Sequence, residues 1–230
     1  MNAKTRKIII FSLLIVTLYI GFKYYCYNMY GPGTFLELSN VKISGNMTIN
    51  HTELNEDEYF IFKDIKVKNV FEGFEQNNLE GDAFLRMVKK EGSQVSQAII
   101  LGSEKQYIDI LKTNKEYKGI FNKIAENENI NDDIDLLKYM EKHNDDEVKF
   151  FMTLRRQKQI DTINEFKISM LPSIEYINLV DGYYDGYMYK SSAHSSEVVI
   201  IKNNKRYFFS FLGNYTEEFI NDFMNTVVIE

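Results

Sequence analysis

Apolar and polar residues alternate in two stretches of the N-terminal third of the chain, residues 41–49 and 59–70. A period of two places successive side chains on opposite faces of a strand, so both stretches predict half-buried strands. The pattern then predicts a short helix over residues 80–90. It is followed by a continuous apolar run, residues 95–101, which predicts a buried strand ending at Gly102-Ser103.

The period changes to that of a helix between residues 104 and 166. Apolar residues recur there every three or four positions, which lets each predicted helix bury one face. Polar breaks at residues 127–131 and 144–146 divide this helical block, and Asp145 is a candidate N-cap for its last helix.

Strand patterns return after residue 174, with extended runs at 183–189, 198–201 and 206–212. Asn203-Asn204 joins the last two runs, and asparagine tolerates the positive φ that a tight hairpin needs. Thr216 is a candidate N-cap of a closing helix. Strands, a helical block, a strand meander and a closing helix together predict the α+β class with a mainly antiparallel sheet.

The most apolar part of the chain lies near the N-terminus, where Lys4, Arg6 and Lys7 precede fifteen uncharged residues. As a helix these fifteen residues span about 22 Å, less than a hydrocarbon core of about 30 Å. Extension to residue 30 gives about 34 Å and includes one charge, Lys23. The pattern predicts an N-terminal transmembrane helix that acts as an uncleaved signal anchor. The predicted anchor residues are Ile8, Ile9, Ile10, Phe11, Leu13, Leu14, Ile15, Val16, Leu18, Tyr19, Ile20 and Phe22.

The charges that flank this segment predict its orientation. Three positive charges precede it and one lies near its end, which favours a cytoplasmic N-terminus and places the bulk of the chain outside the plasma membrane. We therefore expect a cytoplasmic tip and anchor over residues 1–30, a hinge over 31–33 and one extracytoplasmic domain over 34–230. A cleaved signal peptide and a buried core helix remain as alternatives.

Charge also limits the choice of partner. The chain carries 27 basic and 33 acidic side chains, but its first 30 residues hold four basic residues and no acidic one. The remaining 200 residues therefore have a net charge of −10. Phosphate backbones repel so acidic a domain, and we expect no nucleic-acid partner. With one cysteine, Cys26, the chain cannot form an intrachain disulfide.

The sequence contains no motif that predicts a catalytic, cofactor-binding or metal-binding residue, and we expect none and no cofactor. The three histidines, His51, His143 and His194, lack metal-ligand spacing. The acidic segment 126–147 aligns poorly with an EF-hand, because Ile134 replaces the required glycine and Met140 the bidentate glutamate. The serines around His194 have no G-x-S-x-G context and are typical of a loop.

Tyrosines crowd one segment near the C-terminal strands. Exposed tyrosines often line contact sites, whereas strand tyrosines also pack across a sheet, and both interpretations stay open. On the first, a possible contact surface for another envelope protein or a glycan consists of Tyr183, Tyr184, Tyr187 and Tyr189.

Two functional hypotheses follow from these patterns. The first is a single-pass, membrane-anchored cell-envelope protein whose extracytoplasmic domain is a binding or accessory module. The second is an envelope enzyme that acts on cell-wall or lipid-linked material with a site of scattered carboxylates. A concave pocket that gathers two or more carboxylates, or a histidine with a shifted pKa, would favour the second.

Overall fold

A computed structural model describes most of the chain. The described residues are 3–30, 41–68, 74–76, 84–115, 117–144, 146, 152–170, 176–192 and 194–230. The helices are α1 (Ala3–Tyr30), α2 (Tyr107–Thr113), α3 (Lys118–Glu128), α4 (Asp133–Lys142), α5 (Leu154–Met170) and α6 (Glu217–Asn225). The strands are β1 (Ile43–Ile49), β2 (Tyr59–Phe62), β3 (Ile65–Lys68), β4 (Phe74–Gln76), β5 (Phe84–Glu91), β6 (Gln94–Lys105), β7 (Tyr176–Gly182), β8 (Asp185–Ser192), β9 (Ser195–Lys202), β10 (Lys205–Leu212) and β11 (Val228–Ile229).

The strands form two sheets, one of eight strands in the order β1-β7-β8-β9-β10-β6-β5-β4 and one of three in the order β11-β3-β2. In the large sheet β1 and β7 run parallel, and every other neighbouring pair of described strands is antiparallel. Parallel neighbours need a long crossover connection, and the chain from β2 to α5 supplies it. The predicted α+β class with a mainly antiparallel sheet is thereby confirmed, although the sheet is mixed.

Two apolar cores lie on opposite faces of the large sheet. On one face, Phe209 and Phe211 pack against Phe223 of α6, with ring centroids 6.3 and 5.4 Å apart, and the small sheet completes this layer. On the other face, Tyr187 and Val199 pack under helices α2–α5. The central strands are therefore covered on both sides, which explains the continuous apolar runs in their sequence.

The predicted helix over residues 80–90 is wrong for its described part, because residues 84–90 belong to β5 and residues 80–83 lie outside the described ones. β5 pairs with β6 along its whole length, and Gly92, with φ +65°, closes the hairpin between them. β6 also runs through Gly102 to Lys105 rather than ending there. A Cβ at Gly102 would lie 2.7 Å from the Phe84 ring, so this glycine makes room for an aromatic neighbour instead of a turn.

The predicted local signals near the C-terminus are confirmed. Asn203 and Asn204 have φ values of 52° and 59° and join β9 to β10 in a two-residue turn. The Thr216 side chain caps α6 by accepting a hydrogen bond from the Phe219 N–H at 3.1 Å. The predicted N-cap Asp145 lies outside the described residues.

Helix α1 is continuous over 28 residues. The predicted anchor residues Ile8, Ile9 and Ile10 lie on it, but their side chains are outside the described ones. No helix among the described residues is long and apolar enough to cross a membrane. The other nine predicted anchor side chains are 51–65% exposed: Phe11, Leu13, Leu14, Ile15, Val16, Leu18, Tyr19, Ile20 and Phe22.

The C-terminal part of α1 contacts the start of α5. Lys23 is 7% exposed, and its ammonium donates a hydrogen bond to the carbonyl oxygen of Met152. A buried charge needs a hydrogen-bonding partner, and the Met152 carbonyl oxygen is that partner for Lys23.

Candidate binding cleft

The four predicted contact tyrosines lie in different environments. Tyr183 is 52% exposed in the turn between β7 and β8, whereas Tyr184 and Tyr187 are buried in the cores on opposite faces of the large sheet. Tyr189 is half-buried, and its hydroxyl hydrogen-bonds to Glu197. Tyr187 and Tyr189 share the helix-covered face because they are two residues apart in a strand. Of the four, Tyr183 offers a contact surface, and the others pack as sheet residues.

A cleft of about 390 Å³ opens beside Tyr183. Three of its lining residues, Ile61, Lys66 and Val228, are cross-strand neighbours on the outer face of the small sheet. Their side chains face outward because the residues that alternate with them fill the core on the inner face. The complete lining is His51, Glu53, Leu54, Glu56, Tyr59, Ile61, Lys66, Tyr183 and Val228.

The loop between β1 and β2 forms one wall of the cleft and is held by hydrogen bonds at both ends. Asn225, at the end of α6, accepts from the Asn50 N–H at 2.8 Å and from the Thr52 N–H at 2.7 Å. Further along, the Leu54 N–H donates to the Tyr59 hydroxyl at 3.1 Å. These hydrogen bonds hold the loop against α6 at one end and against β2 at the other.

Aromatic rings form another part of the lining, where the start of this loop meets the β7–β8 turn. The His51 imidazole stacks on the Tyr183 ring at 4.4 Å, with the planes 16° apart, and Tyr184 meets Tyr183 edge-on at 4.7 Å. Gly182, with φ +99°, makes this approach possible, since a Cβ there would lie 2.5 Å from the Ile49 carbonyl oxygen. The glycine turn therefore brings Tyr183 from β7 to the end of β1, where His51 begins the loop.

The cleft is electrostatically negative. Lys66 pairs with Glu230 at 2.7 Å, and the hydrogen bond and charge of that carboxylate raise the pKa of the Lys66 ammonium. Glu53 and Glu56 are exposed, and within the described part of the chain neither forms an ion pair. Of the charged side chains in the lining, two are therefore carboxylates and one, Lys66, is a cation that is already paired.

A second polar cluster lies in the helix-covered core around Arg206, which is 3% exposed. Its guanidinium is 3.2 Å from Glu104 and 3.3 Å from Glu197, and it lies over the Tyr107 ring at 4.3 Å. The buried Tyr187 hydroxyl hydrogen-bonds to no described residue. The Arg206 guanidinium and the Tyr187 hydroxyl are enclosed in the core, and Glu104 covers the guanidinium from the exposed side, so we interpret the cluster as structural.

Asp133 connects two helices beside this cluster. Its carboxylate accepts from the N–H groups of Tyr107 and Ile108 at 3.1 and 3.0 Å, while its own N–H donates to the Gln106 side chain. Burial raises the pKa of Asp133, and the two backbone donors oppose that shift. The residue caps α2 from the start of α4 and so fixes the two helices to each other.

The remaining sequence candidates lie apart from the cleft. The His143 imidazole is 2.6 Å from Asp146, and that of His194 is 2.6 Å from Asn214. Segment 126–147 covers the end of α3 and all of α4. The serines around His194 lie at the ends of β8 and β9, where the two strands meet in a tight connection.

Sequence reasoning missed eight of the nine cleft residues, because they come from segments as far apart as residues 51 and 228. One signal was available: residues 53–58 contain four carboxylates in six positions, directly before the aromatic strand β2. Such a run next to tyrosine and isoleucine indicates an exposed surface that combines negative charges with aromatic and apolar groups. It does not by itself show that distant Tyr183 completes the surface.

Comparison with known proteins gives no family: no protein-family model and no curated protein matches this sequence. The class that the fold and site define is an α+β domain with an N-terminal helix of exposed apolar residues and a cleft of aromatic rings and carboxylates. The cleft and α1 are the features of this domain that bear on its function.

Proposed function

We propose that this protein is a single-pass membrane-anchored protein of the cell envelope whose extracytoplasmic domain binds another envelope component through the cleft beside Tyr183. The observation that carries the proposal is the cleft itself. It is concave, its walls are held by hydrogen bonds and ring stacking, and it leaves Tyr183 and Ile61 52% and 58% exposed. Concave sites with an apolar floor and a few polar groups are the usual form of a binding site.

Helix α1 supports the location. Its apolar run from Ile8 to Phe22 is about 22 Å long, and it ends at Lys23, whose ammonium contacts the domain at Met152. Nine exposed apolar side chains would be costly in water, whereas lipid would cover them without a protein partner. Lys4, Arg6 and Lys7 favour a cytoplasmic N-terminus.

Photo-crosslinking in living cells tests the binding function. A photoreactive phenylalanine analogue replaces Tyr183 or Ile61 in the full chain, and irradiated membranes are analysed for covalent adducts. Val95 and Leu212 are matched control positions, because they are exposed strand residues at 47% and 38% and lie outside the cleft. A binding cleft predicts discrete adducts at the first two positions and none at the controls. Equal yields at all four positions, or no adduct, would contradict the proposal.

One observation favours an enzyme as the second candidate: the cleft gathers Glu53, Glu56 and His51. Both carboxylates are exposed, however, whereas a general acid in a glycoside hydrolase is normally desolvated. The His51 ring is stacked on Tyr183. Binding is therefore the better interpretation. Hydrolysis of purified cell-wall material by the protein, abolished in Glu53→Gln and Glu56→Gln, would reverse this order.

A further inference from the structure

We propose that the cleft receives a lysine or arginine side chain from an extended basic segment of a partner protein. The inference rests on the proposed binding function and adds the chemistry of the partner. Three features of the cleft support it: the charges of its lining, its aromatic rings, and its floor, which we define as the apolar residues Leu54, Ile61 and Val228.

The charge of the cleft selects a cation. Glu53 and Glu56 line the cleft from the β1–β2 loop and are exposed, and the cleft's own cation, Lys66, is paired with Glu230. Asp57 and Glu58 follow in the same loop and add to the negative field. An anionic ligand would be repelled there, and a cationic one would be attracted and oriented.

The rings and the floor select a cation that carries a hydrocarbon chain. Leu54, Ile61 and Val228 supply an apolar surface along which the methylene groups of a lysine or arginine can lie. Tyr59 and Tyr183 supply ring faces for the charged end. The same region already uses this contact within the chain, since the Lys202 ammonium lies 5.5 Å from the Tyr184 ring centre and that of Lys63 lies 5.2 Å from the Phe62 ring centre.

The lining of the cleft favours a basic segment over a glycan. His51 covers one face of Tyr183 and Tyr184 approaches its edge, so one face of this ring is left for a ligand of either kind. The floor is aliphatic rather than aromatic, and of the charged side chains Glu53, Glu56 and Lys66 in the lining, the first two are carboxylates. A protein segment with alternating basic and apolar residues matches this arrangement better than a neutral polysaccharide does.

Binding measured with the full chain in phosphatidylcholine nanodiscs tests the inference, because this neutral lipid does not attract the probes electrostatically. The probes are a fluorescent (Lys-Val)3 peptide, the matched (Glu-Val)3 peptide and a tetramer of β-1,4-linked N-acetylglucosamine. The test variant is Glu53→Gln with Glu56→Gln. The matched control, Glu91→Gln with Glu218→Gln, removes the same charge at exposed positions outside the cleft.

We expect the lysine peptide to bind and the other two probes to bind far more weakly. The cleft double variant should weaken lysine-peptide binding about tenfold, and the control variant less than about twofold. Tyr183→Ala, which keeps both carboxylates, should weaken it about threefold through loss of the ring. Equal weakening in cleft and control variants would mean that the peptide responds to net charge, which overturns the inference.

The outcomes separate the two proposals. Crosslinks at Tyr183 and Ile61 without lysine-peptide binding would overturn the basic-segment inference and leave the binding function standing. Tight binding of the sugar tetramer, lost in Tyr183→Ala, would identify a glycan as the ligand instead. Absence of both crosslinks and probe binding would overturn the inference and the proposed function together.

Discussion

At the scale of the residue, charged side chains are held by partners from distant parts of the chain. Asp64, in the turn between β2 and β3, accepts hydrogen bonds from the Tyr207 hydroxyl at 2.7 Å and from Lys205 at 3.1 Å. Burial alone would raise the pKa of Asp64, but these two donors outweigh it and lower the pKa below its ordinary 3.8. The small sheet is thus joined to β10 by a carboxylate that must stay ionised.

This pairing predicts a pH dependence of stability. A carboxyl whose pKa is lowered by folding stabilises the folded state fully above its unfolded pKa, and the stabilisation is lost as pH falls through the lower, folded value. Asp64→Asn should cost about 1 kcal/mol at pH 7, because the carboxylate is partly exposed. The difference from the wild type should shrink as pH falls below 3.8. Urea unfolding of the full chain in detergent, from pH 7 to pH 2.5, measures it; a difference that stays constant would contradict the prediction.

Asp133 gives a second prediction at this scale. Asp133→Ala leaves the buried N–H groups of Tyr107 and Ile108 without an acceptor and should lower the free energy of unfolding by about 3 kcal/mol. Asp133→Asn keeps one acceptor oxygen and should cost less. Exposed Asp222→Asn is the control and should change stability by less than about 0.5 kcal/mol. If Asp133→Ala matched this control, the proposed linkage of α2 to α4 would be wrong.

At the scale of the element, turns fix the register of the central strands. The β9–β10 turn holds Asn203 and Asn204 in the left-handed region, which only glycine occupies without a steric cost. Because β10 also pairs with β6, this turn aligns three strands of the large sheet.

Substitution of Asn204 tests how much the turn contributes. Asn204→Gly should stabilise the protein by about 0.5 kcal/mol, and Asn204→Ala should destabilise it by about 1 kcal/mol, since alanine lacks both conformational freedom and a side-chain acceptor. Urea unfolding followed by near-ultraviolet circular dichroism of the tyrosines provides the measurement. Equal stability of the two variants would show that φ at this position is not the controlling factor.

At the scale of the whole molecule, the proposed membrane topology rests on α1 and its exposed apolar side chains. If the proposed topology is right, alkaline carbonate should leave the full chain in the membrane, and protease added to spheroplasts should digest the chain after residue 33. Changing Lys4, Arg6 and Lys7 together to glutamate should reduce the digested fraction, because it removes the charge asymmetry. Release by carbonate, or protection of residues 34–230 in the wild type, would contradict the proposal.

Local patterns predicted most elements correctly, although the single strand predicted over residues 59–70 is, in its described part, the antiparallel hairpin β2–β3. Residues that are close in sequence account for strands β1 and β10, the helical block, the β9–β10 turn and the α6 cap. The prediction of a helix in place of β5 was wrong because the apolar residues between 84 and 88 fit the spacing of a helix as well as that of a strand. Pairing with the long strand β6 selects the strand. Propensity is local, whereas strand pairing is not.

The cleft was harder to predict from local sequence patterns than the secondary structure was. The sequence identified Tyr183 as one of four equivalent tyrosines and overlooked His51, Glu53 and Ile61. Tyr183 differs from its neighbours because it lies in the turn after Gly182, while Tyr184 and Tyr187 point into the two cores. Which tyrosine stays exposed depends on what packs above each face of the sheet.

The sequence by itself determined the α+β class, the apolar N-terminal segment and the acidic character of the rest, because composition and periodicity are properties of neighbouring residues. The tertiary structure alone decided that β1 pairs in parallel with β7 across more than a hundred residues, and that α6 holds the loop before β2 through Asn225. Those long-range contacts bring His51 onto Tyr183 and create the cleft. No local pattern encodes them, since the free energy that selects them comes from burial on both faces of one sheet.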